Sequence, residues 1–168
     1  MIKLRDLPED FYLDYYRQLP QIDERDVRLL WHNDYYDGPL NGILLYQGKM
    51  CWFQIFHALR TDEVRSREDK DGIAWNDHFV RYLLVELSEE QVKEEKYWHE
   101  LFQKKVSTRS DYDENGHRKT GEVKPKEMWN EFYEPYKMRK PSDLSNNLVL
   151  GWFQTVWGSI KQDEENEE

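Results

Sequence analysis

Apolar residues along this chain gather in short dense runs separated by charged stretches, and the densest are 42–46 and 49–56, joined by Gln47-Gly48. Branched and aromatic side chains of this kind suit a pleated, buried surface. A two-residue link predicts a tight hairpin turn, with Gly48 free to take a positive φ. The register that follows sets Tyr46 opposite Lys49, Leu45 opposite Met50, Leu44 opposite Cys51 and Ile43 opposite Trp52. Side chains alternate between faces, so Ile43, Leu45, Met50 and Trp52 share one face while Leu44, Cys51 and Phe53 share the other. Both faces are apolar, and a hairpin of that composition has to be covered on both sides.

The flanking segments supply the cover. Phe11, Tyr12, Tyr15, Tyr16 and Leu19 fall on one helical stripe, predicting a helix over 8–19 bounded by Pro8 and Pro20. Residues 27–31 read as a short strand, and 32–40 as an irregular loop whose Asp37-Gly38-Pro39 is strong turn chemistry. The mixed-charge stretch 60–71 reads as a solvated loop before an aromatic segment at 73–75 and a strand over 79–87. Ser88 and Gln91 form a capping box, and Leu87 with Val92 a hydrophobic staple, opening a helix to about Val106 with Trp98, Phe102 and Val106 buried. Pro125 opens another helix carrying Met128, Trp129, Phe132, Tyr133 and Tyr136, which Pro135 is expected to kink or end early. A closing strand covers 147–157, where Gly151 marks a bulge or the close approach of another backbone. The fold class is α+β: a mostly antiparallel sheet of about five strands built on the central hairpin 42–56, with about three packing helices. Residues 1–160 are expected to form one domain, and 161–168 a disordered acidic tail.

Charge narrows the choice of partner. The 168 residues carry a formal net charge of -10, and no basic stripe interrupts the acidity. Duplex DNA and anionic membranes repel such a surface, so neither nucleic acid nor membrane is expected, whereas a basic protein partner is favoured. The single cysteine, Cys51, precludes an intrachain disulfide and points to a reducing, cytoplasmic setting, with Cys51 itself a small buried hydrophobe. No apolar run reaches the length of a membrane span.

Candidate chemistry lies in three places. Residues 111–122, DYDENGHRKTGE, match the calcium-loop pattern at every specified position and so resemble an EF-hand loop. The resemblance implies Asp111, Asp113, Asn115 and Glu122 as side-chain ligands, with the carbonyl of His117 at the seventh position. Against it stand Arg118 and Lys119 beside the cation, while Asn115-Gly116 is by itself a turn signal. Glu95 and His99, spaced i,i+4 within the buried stripe, are placed to orient each other as an acid–base pair. Lastly, His32, Asp34, Asp37 and His57 bracket the hairpin and offer a donor set for a hydrolytic metal centre. No dinucleotide fingerprint, phosphate loop or nucleophile elbow is present, and no cofactor is expected.

The leading expectation is a small acidic, non-catalytic protein-binding module with the composition of an immunity or inhibitor protein. Its contact surface would be the exposed loop 31–40, with Trp31, Tyr35 and Tyr36 as aromatic contacts and Asp34 and Asp37 as a negative rim. A metal-dependent hydrolase using the His/Asp set is the alternative.

Overall fold

Five strands pair in chain order, every neighbour antiparallel: β1 (Val27–Tyr35), β2 (Pro39–Tyr46), β3 (Lys49–Arg60), β4 (His78–Glu86) and β5 (Val149–Val156). This computed structural model describes residues 1–35, 38–60 and 78–156. Tyr36 and Asp37, nearly all of the mixed-charge segment, the aromatic segment 73–75, Trp157 and the acidic tail lie outside the described residues.

The central hairpin has the predicted register, with Tyr46 opposite Lys49 and Ile43 opposite Trp52. Gln47 and Gly48 both adopt positive φ, 52° and 76°, the twist that lets a two-residue turn join right-handed strands. Leu44, Cys51 and Phe53 enter one core cluster with Ile22, Val80, Tyr82, Leu84 and Phe153. On the opposite face Leu83, Val149 and Trp152 pack with Tyr16 and Leu19, supported by Leu4, Leu7, Phe11 and Phe56.

The first cluster is covered by the sheet itself. Val27 and Leu29 of β1 share a cavity of about 460 Å³ with Phe153 and Thr155 of β5. In a flat sheet those edge strands would stand about 19 Å apart, four strand spacings. The sheet therefore curls towards a barrel, and the Tyr82 hydroxyl donates to the Pro39 carbonyl, two strands away, at 2.6 Å.

Two α-helices follow β4 among the described residues, α1 (Glu89–Lys105) and α2 (Lys126–Met138), where about three were expected. The capping box forms as read: Ser88 Oγ accepts from the Gln91 amide, and Gln91 returns an acceptor to the Ser88 amide. The two helices meet through Phe102 and Phe132, ring centroids 5.2 Å apart, and through Trp98 against Tyr136 at 5.6 Å. Pro135 does not end α2, which runs on to Met138. It lies on the exposed side one turn after exposed Glu131, so the carbonyl it leaves without a helical donor faces water.

The missing helix is the one expected over 8–19. That segment makes successive turns and a short 3-10 stretch at Tyr15–Gln18, with the Tyr16 amide reaching back to Phe11. Asp10 and Asp14 favour turns over helix interior, and Tyr16 and Leu19 anchor the backbone by burying against Trp152 and Leu83. Residues 32–35, expected as loop, continue β1 instead. Register shifts at Leu29/Trp31, His32/Asp34 and Asp34/Tyr35 keep this polar stretch paired while it twists.

Gly151 answers to the close-approach reading. Its φ is 154°, and a β-carbon there would overlap the Pro20 carbonyl oxygen and meet Ile22 Cδ1 at 3.0 Å. The absence of a side chain admits the segment ending at Ile22, which bonds to Trp152 through the Ile22 amide at 2.7 Å and the Pro20 carbonyl at 3.0 Å. Gly151→Ala is therefore expected to lower unfolding free energy by about 3 kcal/mol, read by urea denaturation.

Candidate functional site

The second half of β1 carries Trp31, His32, Asn33 and Asp34 past the inner face of α1, where Glu95, Trp98, His99 and Phe102 meet them. Phe132, Tyr133 and Tyr136 of α2 close the far side, and the space between is a cavity of about 220 Å³. Its polar floor is deep: His32, Glu95 and His99 are 8% exposed each, and Trp31 and Asp111 are buried behind His99.

His99 organises this floor. Its ring stacks on Trp31, centroids 4.2 Å apart and planes 4° from parallel. Nε2 stands 2.5 Å from Asp111 Oδ1, and Gln103 donates to the other carboxylate oxygen at 2.6 Å. A buried carboxylate with both oxygens engaged is tolerated where a lone one is not.

Asp111 reaches this position because residues 107–123 form an irregular hairpin rather than a calcium loop. Bridges link Ser107 to Val123 and Tyr112 to Arg118, and the Gly116 amide closes the turn on the Asp113 carbonyl at 3.0 Å. One arm adds to the free edge of β1: the His32 amide donates to Ser110 and the Tyr112 amide to Leu30, both at 3.0 Å. The expected calcium ligands point to separate partners. Asp113 accepts from the amides of His117 and Asn115, which hold its carboxyl below the usual range, and Glu122 pairs with Lys124 at 3.1 Å. Among the described residues no group of three or more His, Cys, Asp or Glu side chains is placed to hold a metal ion.

His32 and His57 are not brought together. His32 Nδ1 lies 3.1 Å from the Tyr112 hydroxyl, and its ring sits 4.9 Å from that of Tyr35. Burial, reinforced by the nearby Arg118, pushes the His32 pKa down to about 3, so the ring is neutral at physiological pH. His57 stands against Tyr12 of the N-terminal segment, ring centroids 6.5 Å apart.

Glu95 and His99 are both buried, as their place in the stripe implied, but they do not pair with each other. His99 turns to Asp111; Glu95 turns towards the cavity. Asn33 Nδ2 donates to Glu95 at a long 3.4 Å, and Arg139 approaches to 4.0 Å. Burial raises the Glu95 pKa, with Arg139 and Asn33 only partly opposing it. Arg139, immediately after α2, lays its guanidinium 4.2 Å over the Tyr136 ring and donates to the Tyr136 hydroxyl at 2.7 Å.

Of the residues expected to make an outward contact surface, Trp31 is instead buried, because the bulged strand turns it onto His99. Asp34 is exposed at the cavity rim, accepting from Asn41 at 2.9 Å. Tyr35 is half-buried, with the Arg118 guanidinium 4.6 Å over its ring. Asn33, Tyr136 and Arg139 were not singled out by sequence; only the aromatic stripe that includes Tyr136 hinted at them. Comparison with family models, with curated proteins and with solved structures finds no match to this chain.

Asp111→Ala should lower stability by about 3 kcal/mol, because it strands the buried His99. Glu122→Gln should stay within about 0.5 kcal/mol, and saturating calcium should leave the melting temperature of the wild-type chain unmoved.

Proposed function

We propose that this chain is an acidic protein-binding module that captures a cationic side chain of its partner in the cavity between β1, α1 and α2. Asp34 and Tyr35 form the approach. The observation that carries this reading is Glu95: a buried carboxyl facing an aromatic-walled space, with its partners among the described residues at 3.4 and 4.0 Å. A carboxylate so placed is stabilised by an incoming cation, and the faces of Trp98, Tyr133 and Tyr136 add cation–π attraction. The net charge of -10 steers a basic partner towards it.

The pH dependence has a definite sign. Below its raised pKa Glu95 is protonated and attracts a cation weakly; as pH rises through that pKa the carboxylate forms and affinity grows. Folding runs the other way: between the ordinary and the raised pKa the folded chain binds more protons than the unfolded one, so stability from this group falls as pH rises. Capped arginine and lysine amides, titrated against Trp98 fluorescence, should bind saturably and more tightly at higher pH. Glu95→Gln should weaken that binding by about tenfold and flatten its pH profile. Equal affinity for a capped norleucine amide would defeat the reading.

A second reading, acid–base catalysis, is favoured by one observation, that buried Glu95 and His99 line the same cavity. A catalytic acid at Glu95 loses activity as pH rises, opposite in sign to cation capture.

A further inference from the structure

Resting on the cation-capture reading, we infer that Arg139 is a resident occupant of the site and that the partner's group is an arginine guanidinium which displaces it. The contacts of Arg139 show the recognition chemistry in miniature: a guanidinium over the Tyr136 ring, one N–H on its hydroxyl, and the Glu95 carboxyl 4.0 Å from another nitrogen. A planar, delocalised cation suits this arrangement, whereas a lysine ammonium neither stacks nor forks.

Arg139 holds the acid poorly. Its Nη1 stops 4.0 Å from Glu95 Oε1, well short of the roughly 2.8 Å of a charge-assisted hydrogen bond. An arginine entering through the cavity approaches Glu95 from the open side and can engage both carboxylate oxygens. Arg139 can withdraw without disturbing α2. Its backbone is already extended, φ -66° and ψ 149°, with its amide on the Tyr136 carbonyl, so leaving needs only rotamer changes. Neighbouring Met138 is 85% exposed, and Lys140 is exposed, so the segment beside it is open to solvent. Burial raises the Tyr136 pKa against the opposing Arg139, while exposed Asp34 and buried Glu95 lie close enough to add to the rise. Asp34 remains at the rim to receive whichever cation is outside. A resident competitor reduces the apparent affinity for the partner by the fraction of time it occupies the site.

The test uses the full chain with ¹⁵N-labelled arginine, titrated with N-acetyl-arginine amide and, separately, N-acetyl-lysine amide. In the wild type the Arg139 Nε–H resonance should shift in step with saturation by the arginine amide. Arg139→Gln should bind that amide about fivefold more tightly than wild type and prefer it over the lysine amide. Unchanged affinity in Arg139→Gln with an unmoved Nε–H signal overturns displacement while leaving cation capture intact. Weaker binding in the variant also overturns it, making Arg139 a part of the site. Binding of neither amide to either protein defeats both readings. If Arg139→Gln does not fold, the wild-type Nε–H titration decides by itself.

Discussion

The structure depends on a strand pair that is apolar on both faces. Leu44, Cys51 and Phe53 demand cover on one side and Ile43 on the other, and all four are almost fully buried. The two faces are satisfied differently. One is closed by curling the sheet until its first and last strands line a common cavity; the other is covered in part by an N-terminal segment that wraps as turns. Curling twists the polar end of β1 out of register three times, and those bulges carry Trp31 to Asp34 against α1. The site is thus a consequence of how the core is closed.

Among the described residues, the buried His, Asp and Glu side chains around that site are closely paired with one exception, and the exception is informative. His99 has Asp111 and the Trp31 ring; Asp111 has His99 and Gln103; His32 has Tyr112. Glu95, equally buried, has only long contacts among the described residues. A fold that meets the demands of three buried titratable groups and leaves a fourth under-paired at a cavity wall places unspent electrostatic attraction there. In the proposed function, the aromatic side chains around it and the acidic charge outside direct that attraction to a cation.

The hairpin 107–123 is the most instructive difference between pattern and structure. Its acidic spacing suits a calcium loop, but Asn115-Gly116 also encodes a turn, and a β1 edge offering the His32 amide and the Leu30 carbonyl lay within reach. Pairing satisfied both groups, and Asp111 was drawn to a buried imidazole. A twelve-residue motif carries no information about which distant strand edge stands open.

Much of the frame was legible from local rules. Alternation and Gln47-Gly48 determined the central hairpin and its register, Ser88 with Gln91 determined where α1 begins, and Gly151 announced a close backbone approach, because each depends on neighbours a few residues away. The tertiary structure alone decided that 8–19 would wrap as turns, that β1 would run on to Tyr35, that Trp31 would face inward and that Glu95 and His99 would part company. It alone set Arg139 beside Glu95, 44 positions earlier in the chain. Those outcomes follow from competition among distant surfaces for burial and for hydrogen-bond partners, and no local spacing records who wins.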